Sequence, residues 1–225
     1  LNTLIKPGDI VALAGGRTIY ELVQHLPEPR NKALTVVQAM GSVDSSVSSF
    51  DAQEIGRVVA QRLGGSFLAL NAPAYIPEKR TRDALLKLPQ VRSVHDHLGR
   101  AQVAIVGLGT LENSVFVERG ALGPEAVAEL REAGAVGEIC GRFFDRNGAE
   151  CDTLWRDQVM SVEAEQLRKI PQVIGVVSGN DRSASIAAAI RGKLLKGLVI
   201  DETGAAALLA ATTPVSRPKV KSKKK

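Results

Sequence analysis

"GDIVALAGGRTIYELVQHL", Gly8 to Leu26, runs from an apolar stretch through two adjacent glycines into residues of helical period. That order predicts a strand over Ile10 to Ala14, a turn at Gly15 and Gly16, and a helix over Thr18 to Leu26. Two glycines let backbone come close to a neighbour, and Arg17 and Thr18 then aim a cation and a hydroxyl at the same space. The pairing points to an anion.

Outward from this unit the pattern repeats. Apolar runs rich in β-branched residues predict strands over Leu34 to Ala39, Ser66 to Leu70, Gln102 to Val106, Val173 to Val177 and Gly197 to Ile200. Helical period lies between and after them, over Phe50 to Leu63, Glu78 to Leu86, Pro124 to Ala133, Ser183 to Arg191 and Glu202 to Ala210. Alternation of this kind is the mark of an α/β fold, here a Rossmann-like, mostly parallel sheet with helices on both faces. The near-continuous apolar character of the strands implies burial on both sides. One stretch breaks the rhythm: "GAVGEICGRFFDRNGAEC", Gly134 to Cys151, is irregular. Its Asn147-Gly148 pair signals a hairpin turn, so a small β insertion of two antiparallel strands is expected there.

Composition bounds the rest. The chain has 225 residues, 44% hydrophobic and 4% aromatic, enough for a full core. No apolar run approaches the roughly 20 residues that span a bilayer, so a cytoplasmic protein without a membrane partner is expected. The formal charge is +5, but six of the 29 basic side chains fall in the last nine residues, leaving 23 basic against 24 acidic in the body. The net charge therefore describes a basic tail, expected to be disordered over residues 214–225, and not a nucleic-acid-binding face. The body, residues 1–213, reads as one domain. Cys140 and Cys151 lack metal or redox spacing and read as reduced bystanders. His95 and His97 in "VHDHLG" lack a third ligand and read as solvated histidines closing a helix, so no metal or cofactor is expected.

In open parallel sheets ligands collect at the carboxyl ends of the strands. Four loops there share one character: Gly15 to Thr18; "MGSVDSSVSS", Met40 to Ser49; "GLGT", Gly107 to Thr110; and "SGNDRSAS", Ser178 to Ser185. Each offers glycine backbone, hydroxyls or a cation at a helix start, the chemistry of a phosphate site. Plain turn chemistry explains any one of them alone. The first loop matches neither dinucleotide nor P-loop spacing. Ser45 and Ser46 have no local base, which leaves acyl transfer unsupported.

The segments "GDIVALAGGRTIYEL", "VVQAMGSVDSS", "LNAPAYIP", "VAIVGLGTL", "GAVGEICGRFFDRNG" and "VIGVVSGNDRSASIAAAIRGKLLKGLVIDETGAAALL" occur in this order. Together they resemble the sugar-binding domain of SorC/DeoR-type bacterial transcriptional regulators, up to about Leu209. The resemblance implies a fold like that of ribose-5-phosphate isomerase and glucosamine-6-phosphate deaminase, used to sense a phosphorylated sugar. It implies that Gly16, Arg17 and Thr18 form a phosphate loop beside Gly15, and that Gly41, Ser42 and Ser45 line the sugar with Gly109. Arg119 and Glu138 become a second-wall cation and a hydroxyl acceptor. The family's closing Gly-Gly-x-x-Lys reads Ser178-Gly179-Asn180-Asp181-Arg182 here, which puts Arg182 at the phosphate and exchanges a compact ammonium for a planar fork.

Such regulators are homo-oligomers, dimers or tetramers, that reach operator DNA through a helix-turn-helix domain ahead of the sugar-binding domain. Leu1 falls where the sugar-binding domain begins, so this chain is expected to be that domain alone or a protein that has lost its reader. The alternative on the same fold is a sugar-phosphate isomerase or deaminase. Asp44, Asp51, Glu138 and Asp181 are its candidate bases, but no histidine falls in a sugar-facing loop.

Overall fold

The computed structural model describes residues 4–26, 33–43, 45 and 48–212; Asp44, Ser46 and the basic tail 214–225 lie outside the described residues. In chain order the first elements are β1 (Ile10–Leu13), α1 (Arg17–Gln24), β2 (Thr35–Gln38), α2 (Ala52–Leu63), β3 (Ser66–Leu68), α3 (Lys79–Leu86) and α4 (Pro89–Leu98). Then follow β4 (Val103–Gly107), α5 (Val115–Glu118), α6 (Pro124–Glu132), β5 (Gly137–Ile139) and β6 (Arg142–Phe144). A 3-10 turn (Leu154–Asp157), α7 (Ala164–Lys169), β7 (Gln172–Val177), α8 (Ser183–Arg191), β8 (Gly197–Ile200) and α9 (Glu202–Thr212) come next among the described residues.

All six strands predicted from apolar runs form, and they pair in parallel in the order β3-β2-β1-β4-β7-β8. This is the doubly wound order, and the chain changes direction across the sheet between β1 and β4. Register sets Ala12 opposite Val37 on one side and Ala104 on the other. Val11, Ala12 and Leu13 are all fully buried, so both faces of β1 are covered. Burial on both faces does not extend to the edges: β3 and β8 have one neighbour each, and Val199 is 44% exposed. The apolar runs alone do not distinguish central from edge strands.

Helix ends follow their local chemistry. Asp51 precedes α2 and accepts the Ser48 N–H at 2.7 Å, Glu54 sits in the first turn, and Gly64 closes the helix at φ 70°. α4, unforeseen as a separate helix, starts with Pro89, where the missing N–H costs nothing. Its His95 is half-buried instead of solvated, and its Nε2 has no hydrogen-bond partner among the described residues. Burial pushes the imidazole pKa down, because the cation would lose water.

The insertion holds two antiparallel strands, as expected, but turns elsewhere. β5 and β6 are joined by Cys140 and Gly141, with φ of 52° and 77°, the geometry of a type I′ turn. Asn147-Gly148 makes a second turn, held by Asp145, whose Oδ1 accepts the Asn147 and Ala149 N–H groups. Beneath the hairpin lies a separate apolar cluster around Phe116, Phe143 and Trp155. Phe116 meets the Trp155 ring edge-on at 5.1 Å, Tyr75 stacks on it, and the Trp155 indole donates to the Gly141 carbonyl at 2.8 Å. Such a pair contributes about 0.5–1.5 kcal/mol beyond its buried area.

Candidate functional site

The loops after β1, β2, β4 and β7 converge on one cavity of about 630 Å³ at the carboxyl edge of the sheet. Gly15 leaves β1 so close to the segment before α2 that a Cβ there would stand 2.7 Å from the Ala52 nitrogen. Gly16 follows at φ 124°, which favours glycine, and donates its N–H to the Phe50 carbonyl at 2.8 Å. That N–H is therefore engaged within the protein. The cavity wall beyond it carries Arg17 and Thr18, which open α1. The Arg17 guanidinium lies over the Phe50 ring, 5.4 Å from its centroid, and the edge-on contact between Phe50 and Tyr20 holds that ring.

Opposite this corner, β5 is stitched to the β4 exit loop. Gly109 and Glu138 exchange both backbone hydrogen bonds at 3.0 Å, which turns the Glu138 side chain into the cavity wall. The carboxyl is buried, accepts the Gly141 N–H at 2.9 Å and is bonded to the Ser114 hydroxyl. Desolvation outweighs these bonds and raises its pKa, favouring the neutral acid. Cys140 also lines the cavity, and burial pushes its thiol up to about 12, far from a nucleophilic thiolate. Cys151 is free and buried as well.

The remaining residues singled out by sequence divide cleanly. Gly41, Ser42, Arg119 and Arg182 line the same cavity. Gly41 is packed against backbone, 2.4 Å from Ala72 O if it carried a Cβ, and Ser42 donates its N–H to that same carbonyl. Arg119 follows α5 and Arg182 caps α8. Ser45 is exposed and outside the lining. Of the candidate bases, Asp51 and Glu138 line the cavity, and Asp181 does not.

Phe50 and Asn113 also line the cavity, without a functional signal in the sequence. Asn113 Oδ1 accepts the Thr110 N–H at 2.8 Å, and its amide donates to Asp181 Oδ2 at 3.2 Å, joining two loops far apart in sequence. A Thr-x-x-Asn spacing was a local turn signal for the first bond; nothing local signals the second. Three guanidinium groups and four carboxyl groups line the cavity, so it is not simply cationic. Among the described residues no group of three His, Cys, Asp or Glu side chains could hold a metal, and no helix is long and apolar enough to cross a membrane.

Residues 1–210 match the family described as "Putative sugar-binding domain". The chain belongs to the sugar-binding domain family of SorC/DeoR-type transcriptional regulators. It is 30% identical to the Escherichia coli K12 "Uncharacterized transcriptional regulator YjhU" over 95% of this chain and 65% of that protein. It is 26% identical to the Klebsiella pneumoniae "Sorbitol operon regulator" over 93% of this chain and 67% of that one. The chain thus spans about two thirds of the length of these curated relatives. The crystal structure of the sugar-binding domain of a transcriptional repressor from Vibrio fischeri superposes with a TM-score of 0.83, at 30% identity over 94% of this chain and 83% of that one. Full-length SorC from K. pneumoniae gives 0.87, at 25% identity over 92% and 68%.

Proposed function

We propose that this chain is the effector-sensing domain of a bacterial sugar-responsive regulator, and that its effector is a phosphorylated sugar. The observation that carries the reading is the shared cavity. Arg17 and Arg182, each at the start of a different helix, line it together with a buried Glu138 suited to a neutral hydroxyl or carbonyl. Cations and helix N-termini favour a phosphoryl group, whereas the mixed charge of the wall disfavours a polyanion. The relative named for sorbitol supports a polyhydroxylated ligand. Of the sequence candidates, Gly15, Gly16, Arg17, Thr18, Gly41, Ser42, Gly109, Arg119, Glu138 and Arg182 are kept as ligand-facing.

In this reading the ligand biases the arrangement of subunits in a dimer or tetramer. A DNA-binding domain outside this chain reports the bias in the cytoplasm, which requires unequal affinity for the two states. Exposed apolar side chains support assembly: in α9 only Gly204 is buried, and Ile190, Val199 and Leu209 are exposed. Turnover is not expected, because burial disfavours ionisation of Glu138, Asp51 is engaged by the Ser48 N–H ahead of α2, and His25, His95 and His97 lie outside the cavity lining. The test is a thermal-shift panel of pentose and hexose phosphates against the free sugars. A ligand at 100 times its Kd stabilises the fold by about 2.7 kcal/mol. A response to free sugars equal to that for their phosphates overturns the reading.

A further inference from the structure

Arg182 does not meet the cavity as an open cation. Its Nη1 donates to Asp181 Oδ1 at 2.7 Å and to the Ser178 carbonyl at 2.9 Å. The second oxygen of Asp181 accepts from Asn113 at 3.2 Å, and Asn113 in turn holds the Thr110 N–H at 2.8 Å. A carboxylate of the protein's own thus sits on the guanidinium that the phosphosugar reading assigns to the ligand, tied to the β4 exit loop from its far side. The pair is partly open to solvent, with side chains 25% and 55% exposed, so it is held weakly enough to exchange.

We infer that Asp181 is a specificity-determining residue, an internal anion that occupies Arg182 and yields it to a dianionic phosphoryl group but not to a monoanionic carboxylate. A ligand carboxylate carries the same single charge as Asp181, and with Asp181 already neutralising the guanidinium through Nη1 it gains little from the nitrogens left over. A phosphoryl group brings a charge of about −1.5 to −2 and three acceptor oxygens, so it gains more from the fork than Asp181 gives up. The inference rests on the phosphosugar reading and adds which anion the corner accepts.

Asp181→Asn keeps an acceptor for the Asn113 amide and removes the charge. Inorganic phosphate and acetate at pH 8, at matched ionic strength, are the probes, read by thermal shift on the full chain. The native chain is expected to respond to phosphate and not to acetate. In Asp181→Asn the apparent Kd for phosphate should fall by about two- to fivefold, the scale of an exposed ion pair, and a response to acetate should appear. In an Arg182→Ala background the same substitution should change neither.

Weaker or unchanged phosphate binding in Asp181→Asn overturns the inference and leaves the phosphosugar reading standing, since Asp181 would then orient Arg182 or be idle. An equal gain without Arg182 also overturns it, as a general charge effect. No phosphate response in either chain overturns the phosphosugar reading, and the inference with it.

Discussion

Arg142 and Arg182 are the same side chain used in opposite ways within one domain. Arg142, on β6, is 3% exposed and engages with all three nitrogens: Nε with Ser161, Nη1 with Glu150 and the Arg156 carbonyl, Nη2 with the Val159 carbonyl and with Glu163 at 2.8 Å. Arg82 reaches the other oxygen of Glu163, so the hairpin wall is bolted to α3 and to the start of α7. Arg182 has a quarter of its side chain exposed and, among the described residues, bonds only through Nη1. A saturated, buried guanidinium fixes a wall; a half-engaged one at the rim can bind. Burial and the count of engaged N–H groups separate the two roles, and residue type does not.

The two arginines should differ most in what they contribute to stability. Arg142→Ala leaves Glu150 and Glu163 without their shared partner. Because both carboxylates are partly exposed, the cost is expected near the lower end for a broken buried pair, about 3 kcal/mol, read by urea unfolding. Arg182→Ala should leave unfolding within about 0.5 kcal/mol of the native chain. Comparable losses for both substitutions would erase the distinction. On binding the order reverses: Arg182→Ala should weaken a sugar phosphate by about 1.5–3 kcal/mol, measured by calorimetry, as expected for a lost charged hydrogen bond, while barely changing the free sugar.

Glu138 sharpens the contrast by titration. Its pKa is raised in the folded chain, so its contribution to stability is complete below the ordinary value of 4.5 and is lost as pH rises through the folded pKa. Glu138→Gln keeps an acceptor for the Gly141 N–H and cannot ionise. The variant's Tm should therefore gain on the native Tm as pH is raised from 4.5 toward 8. Parallel Tm curves would mean that Glu138 is not held neutral. The smallest effect is at the other corner, where Phe50→Leu removes the ring under Arg17 and should weaken phosphate binding by about 0.5–1 kcal/mol with little loss of fold.

Legibility in the sequence tracked the range of the interactions. The central strands were readable because β1, β4 and β7 are unbroken apolar runs, and the glycine loops followed because ligand space opens where the strands end. The β insertion was readable as irregular, but not its turn. Cys140 carries no turn preference, and its positive φ belongs to a turn whose Gly141 N–H donates to Glu138 within the docked hairpin. Arg142 was invisible as a structural bolt because Glu163 is distant in sequence, and Phe50 became a platform only once Gly16 had docked on its carbonyl. His95 read as surface because the Glu163, Arg82 and Arg142 charges around it come from other elements.

In the proposed function, one cavity at the β1/β4 switch point holds a phosphoryl group between Arg17 and Arg182. A crystal structure of the domain soaked with a hexose 6-phosphate tests it most directly. The expected result is a phosphoryl group within hydrogen-bond reach of both guanidinium groups, with the sugar hydroxyls turned toward Glu138. Phosphate seated outside this cavity, or inside it with Arg17 and Arg182 both pointing away, would contradict the account.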